Sequence, residues 1–83
     1  MVNYCVYILF SPTHDKYYIG QTQDFAKRIV THNSGMVKST KPYLSWEKVL
    51  ILEKETRSEA MILEKKLKNL NRVKLLEFIE KYK

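Results

Sequence analysis

The side chains best suited to chemistry in this chain are two phenols, an imidazole, a guanidinium and a carboxylate: Tyr7, Tyr18, His32, Arg28 and Glu64. Phenols and imidazoles exchange protons, a guanidinium binds anions through a permanently charged fork, and a carboxylate binds cations. Their spacing makes them worth following. The stretch from Tyr4 to Gly20, YCVYILFSPTHDKYYIG, sets two apolar, aromatic-rich runs around a polar SPTHDK that carries turn residues, and so predicts a β-hairpin. With Phe10 paired to Tyr17 across a six-residue loop, Leu9 opposes Tyr18 and Tyr7 opposes Gly20. Tyr7 and Tyr18 are then diagonal neighbours on one face, and a one-residue slip would separate them. Two core or rim tyrosines are the plainer reading of such a pair.

Arg28 and His32 are four residues apart and stack on one side of a helix. A surface arginine, with a histidine placed where a helix C-terminus favours its charged form, is the plainer reading here too. Glu64 lies just outside an apolar helical stripe, with Lys68 one turn further on. Such a carboxylate can look into a cleft from a rigid backbone, or simply form a surface pair with Lys68.

The elements that must position these groups follow from punctuation and periodicity. Asp24 suits an N-cap, Phe25 to Asn33 read as a helix, and Gly35 suits its stop. Residues 35–45 form a loop with Lys38, Lys41 and Tyr43, able to touch phosphate and stack a base, or to serve as a solvated connector. Trp46 to Glu53 reads as a third strand, and Thr56 with Glu59 matches a capping box opening a helix to about Leu70. Ala60, Leu63, Leu67 and Leu70 form its buried stripe, and a last helix from about Val73 to Tyr82 offers Leu75, Leu76, Ile79 and Tyr82 to the core. The order β-β-α-β-α-α predicts an α+β fold, a three-stranded antiparallel sheet flanked by helices.

Composition sets the bounds. Eighty-three residues, 45% hydrophobic and 29% charged, predict one folded domain over residues 1–83 with a modest core. Fifteen Lys and Arg against nine Asp and Glu give a formal charge of +6, which favours a polyanionic partner, nucleic acid before anionic membrane. The single Cys5 excludes an intramolecular disulfide, and no Cys/His cluster points to structural zinc. The N-terminal apolar run stops at Ser11-Pro12, too short for a signal peptide or a span, so a cytoplasmic location is expected.

The triplets CVY (Cys5–Tyr7) and YIG (Tyr18–Gly20) resemble the two signature triplets of the GIY-YIG nuclease family. GQTQDFAKRIVTHNSG resembles the helix that carries the family's Arg and, in many members, a His one turn later; EAMILEKKLK resembles the segment of its metal-binding Glu. The resemblance spans nearly the whole chain and is closest to small stand-alone bacterial members similar to the N-terminal nuclease domain of the ABC excinuclease. It implies an endonuclease acting on nucleic acid, DNA first, with repair as one setting. Tyr7 and Tyr18 would be the catalytic tyrosines, Arg28 the phosphate contact, His32 the neighbouring proton-handling group, and Glu64 the ligand of a divalent metal, Mg²⁺ or else Mn²⁺. Lys38, Lys41, Tyr43 and Lys68 are expected to contact nucleic acid. Three positions depart from the pattern: Cys5 for Gly, Val6 for Ile, and Gln21 where the excinuclease domain has Lys.

A chain this small is expected to act as a monomer or weak dimer, with a protein partner able to supply specificity and no membrane partner. Two other readings compete with the nuclease. A binding module of the same fold would share the charge and the tyrosines but has no need of the full Tyr/Tyr/Arg/His/Glu set. A membrane-surface scaffold needs a continuous basic stripe, which Glu64, Glu77 and Glu80 interrupt.

Overall fold

Strand β1 (Tyr4–Ser11) is the centre of the molecule, and its run of apolar residues is continuous because both of its faces are covered. In the computed structural model, which describes residues 3–83, β1 pairs antiparallel with β2 (Lys16–Thr22) on one side and β3 (Glu47–Lys54) on the other. Three helices complete the fold: α1 (Phe25–Asn33), α2 (Arg57–Lys68) and α3 (Arg72–Tyr82). The α+β order and the sheet are those the sequence predicts.

Period-two alternation sends the two sets of β1 side chains into different layers. Val6 and Ile8 join Ile19, Leu50, Ala60, Leu67, Leu75 and Ile79 beneath α2 and α3. Tyr7 and Leu9 join Trp46 on the opposite face, with Tyr18, Phe25 and Ile29 packed against them. The chemistry-bearing residues of the hairpin therefore lie on the α1 side, away from the larger aliphatic core.

The hairpin register is the expected one, Phe10 with Tyr17, Leu9 with Tyr18 and Tyr7 with Gly20. The ladder continues one step further, to Ser11 with Lys16, so the connection is shorter than expected. Asp15 closes it in the left-handed region (φ 51°), which Asp tolerates better than most residues. Helix α1 has the predicted ends: the Asp24 carboxylate accepts from the Lys27 amide at 3.1 Å, and Gly35 follows with φ 80°.

Three expectations are corrected. Strand β3 starts at Glu47, because the backbone of Trp46 is bound by the Asn33 side chain instead of a neighbouring strand. Helix α2 ends at Lys68, short of Leu70, because Asn71 is already the N-cap of α3, accepting from the Lys74 amide at 2.9 Å. Leu76 and Tyr82 are 42% and 49% exposed, and the core takes Leu75 and Ile79, with Phe78 partly buried. Leu76 sits about 100° around the helix from Leu75, off the stripe that faces the sheet.

That correction is measurable. Leu67→Ala, at a fully buried site, should lower unfolding free energy by about 2–5 kcal/mol. Leu76→Ala should cost less than about 1 kcal/mol, read from urea midpoints at constant m-value.

Candidate active site

Tyr7 and Gly20 face each other across the β1–β2 ladder, and the missing side chain at Gly20 gives the Tyr7 ring its place. A methyl group at Gly20 would lie 2.5 Å from the Tyr7 hydroxyl, 2.7 Å from its Cζ and 3.2 Å from Tyr18 Cε2. The ring therefore leans over the glycine toward the edge of the sheet. Phe25, at the start of α1, packs against it with ring centroids 5.4 Å apart.

Helix α1 then delivers two groups, one turn apart, to the same phenol. His32 Nε2 is hydrogen-bonded to the Tyr7 hydroxyl at 2.9 Å, and Arg28 Nε donates to that oxygen at 3.4 Å. Tyr18, the half-buried diagonal neighbour, lies with its ring 6.4 Å from that of Tyr7 and 5.0 Å from the imidazole. Tyr7, Tyr18, Arg28 and His32 form one cluster. The plainer reading of His32 as a surface histidine is overturned by its burial, since it is 0% exposed.

Burial favours the neutral forms of Tyr7 and His32. Burial pushes the Tyr7 phenol above its ordinary range, and the opposing pull of Arg28 does not reverse the shift. Arg28 alone therefore does not make Tyr7 a resting phenolate. His32 is pushed below the ordinary histidine range by burial, and then by the Arg28 charge. At neutral pH, the cluster holds a protonated phenol beside a neutral imidazole.

Glu64 is placed differently. It projects from α2 at the edge strand β2, where Gln21 Nε2 donates to its Oε1 at 3.2 Å and Lys68 lies 3.4 Å from Oε2. The four clustered residues do not bond to it, yet its charge is among the influences that raise the Tyr7 pKa. The surface pair with Lys68 is present, but the Glu64 side chain is only 20% exposed and steered by a second partner. Gln21, at a departure from the family pattern, thus has a local task.

The expected nucleic-acid contacts are distributed unevenly. Lys38 and Lys41 are exposed on the loop that runs over α1, whereas Tyr43 is half-buried. The Tyr43 ring packs edge-on to Trp46 and carries Lys16 over one face at 4.4 Å, which leaves less of it for stacking. The same loop brings in Thr40, which sequence reading does not single out. It is 0% exposed, with Oγ1 2.9 Å from His32 Nδ1. Among the described residues, no three His, Cys, Asp or Glu side chains gather as a metal cluster, and no helix is long and apolar enough to cross a membrane.

Two outcomes follow from this packing. Gly20→Ala usually gains strand stability of about 0.5–1 kcal/mol, but here the clash with a pinned Tyr7 should win, for a net loss of about 1–3 kcal/mol in urea unfolding. In a Tyr7→Ala background most of that loss should disappear. His32 binds a proton less readily folded than unfolded, so stability should be full above about pH 6.5 and fall as pH drops below it. Urea midpoints between about pH 7.5 and 5.5 would show this, with a weaker trend in His32→Gln.

The sequence and the fold have counterparts among known proteins. The GIY-YIG catalytic domain model matches residues 3–77. The solution NMR structure of a UPF0213 protein from Bacillus halodurans is 32% identical, with 94% of this chain and 83% of that chain covered at a TM-score of 0.62. No curated protein matches. The match spans both tyrosine strands, the Arg28–His32 helix and the Glu64 helix, a fold of nuclease type whose substrate is nucleic acid; the chain belongs to the GIY-YIG catalytic domain family.

Proposed function

We propose that this chain is a metal-dependent endonuclease that hydrolyses phosphodiester bonds, with DNA as the first candidate substrate. The observation that carries this reading is the 2.9 Å hydrogen bond between the Tyr7 hydroxyl and His32 Nε2, made beside the Arg28 guanidinium.

The base in this reading is Tyr7 acting through His32. Because its pKa is raised, Tyr7 rests protonated, and a neutral His32 is the group able to take that proton. As the water attacks phosphorus, it gives a proton to the Tyr7 oxygen while the phenol proton passes to Nε2. The bond from the water oxygen to phosphorus forms, the bond to the leaving oxygen breaks, and the leaving alkoxide takes a proton from solvent. Imidazolium then returns its proton to solvent. Arg28 gives its Nε to Tyr7, and its guanidinium would meet the phosphoryl oxygens, where charge develops. Tyr18 orients the phosphate or the water.

Glu64 is the residue that would hold the metal. A lone, partly buried carboxylate with no clustered His or Cys suits Mg²⁺ or Mn²⁺, which takes one or two carboxylates, substrate phosphate and waters. Held there, such an ion would supply charge neutralisation for the phosphoryl group and the leaving oxygen. Gln21 keeps the carboxylate aimed at the β2 edge, and Lys68, Lys38 and Lys41 contribute phosphate contacts.

A panel of labelled plasmid, branched DNA, single-stranded DNA and RNA, with Mg²⁺, Mn²⁺ or EDTA, tests this directly. Cleavage should require metal and vanish in Glu64→Ala, while the urea midpoint moves by less than about 1 kcal/mol equivalent, as for a surface pair. Metal-dependent cleavage undiminished in Glu64→Ala would sink the assignment. Salt-sensitive binding by both proteins, without cleavage of any substrate, would favour a binding module of the same fold.

A further inference from the structure

Thr40 lies on the loop between α1 and β3, fully buried, and is tied down on several sides. Trp46 Nε1 donates to its carbonyl at 3.0 Å, and the Asn33 side chain accepts from the Trp46 amide at 2.7 Å and donates to its carbonyl at 3.0 Å. Asn33 is the neighbour of His32, so the loop is clamped to the helix end that presents the imidazole. Within that clamp, Thr40 Oγ1 meets His32 Nδ1 at 2.9 Å and lies 3.4 Å from the Val37 carbonyl.

The direction of the hydrogen bonds through this chain follows from where each buried hydrogen can go. A guanidinium has only donors, so Arg28 Nε–H must donate to the Tyr7 oxygen. A carbonyl only accepts, so in the 3.4 Å contact with Val37 the Thr40 hydroxyl is the donor, beside the Thr40 and Lys41 amides that the same carbonyl accepts at 3.2 and 2.9 Å. Between these ends one arrangement satisfies every hydrogen: Tyr7 O–H donates to Nε2, and Nδ1–H donates to Thr40 Oγ1. The reverse arrangement leaves the buried Tyr7 hydrogen without an acceptor here and takes the Thr40 hydrogen away from Val37. Buried polar hydrogens are rarely left unpaired, so the first arrangement prevails.

We propose that Thr40 is a positioning residue for the hydrolytic site: by accepting from Nδ1–H it fixes the His32 tautomer that leaves Nε2 free to take the Tyr7 proton. This rests on the nuclease reading for its catalytic consequence, but the tautomer itself belongs to the free protein. Valine at this position keeps the shape and removes the acceptor, so Nδ1–H loses its partner and part of the population should carry the ring proton on Nε2 instead. In those molecules Nε2 has no lone pair for the phenol proton. Serine keeps the acceptor.

The test is ¹⁵N NMR of the histidine ring nitrogens at neutral pH, without substrate, with His14 identified by a His14→Gln variant. His32 should show a pyridine-type Nε2 and a pyrrole-type Nδ1 in the wild-type protein and in Thr40→Ser, and ring shifts moved toward a mixture of the two tautomers in Thr40→Val. In the cleavage assay, Thr40→Val should lose about tenfold in kcat with KM unchanged, in step with the fraction of His32 that leaves the wild-type tautomer, while Thr40→Ser stays within about twofold. A pyrrole-type Nε2 in the wild-type protein overturns the proposal even if Thr40→Val fails to fold. So does a folded Thr40→Val that keeps the wild-type tautomer. Absence of cleavage by the wild-type protein counts against the nuclease reading alone, because the ring spectra are read without activity.

Discussion

A phenol placed in the middle of a sheet and almost wholly withdrawn from bulk water must be given hydrogen-bond partners, and much of this molecule is arranged around that demand. Tyr7 is 1% exposed, and an unpartnered hydroxyl there would cost about 1–3 kcal/mol. The partners come from α1, which fixes where that helix docks and which of its faces turns inward. His32 is buried in consequence and needs a partner of its own, and Thr40 provides it. The loop carrying Thr40 is then held by Trp46 and Asn33. Each polar group taken out of water recruits the next, and the chain of recruitment ends on backbone carbonyls.

The sheet separates two tasks that a small domain has little surface to separate otherwise. Beneath α2 and α3 lies an aliphatic core of ordinary composition, whose role is stability. Above β1 and β2, the packing is aromatic and polar together, with Tyr7, Leu9 and Trp46 at its centre. Residues proposed to react are therefore also residues that hold the α1 side in place. Loss of folding and loss of chemistry are entangled on that side and separable at Glu64, which sits at the sheet edge with solvent beside it.

Much of this was legible in the sequence because it is local. The hairpin register follows from a period of two, and its one-residue resolution is what places Tyr18 beside Tyr7. The ends of α1 follow from Asp24 and Gly35, whose roles need only their immediate neighbours. What escaped depends on contacts that no spacing announces. Thr40 looks like any loop hydroxyl until the loop folds over α1. Gln21 reads as a missing lysine until Glu64 arrives from α2, and Trp46 reads as strand until Asn33 claims its backbone. The burial of His32 was hidden for the same reason: a helix C-terminus commonly favours a charged, exposed histidine, and here tertiary packing outweighs that preference.

If Tyr7 and His32 work as one proton-transfer unit, a kinetic double-mutant cycle will show it. Single-turnover cleavage would be compared for the wild-type protein, Tyr7→Phe, His32→Gln and the double variant, each confirmed as folded. A shared proton path predicts that the double variant is no slower than the slower single variant, since removing either group already breaks the path. Rate losses that multiply in the double variant would mean that the two residues contribute independently, and would contradict the account.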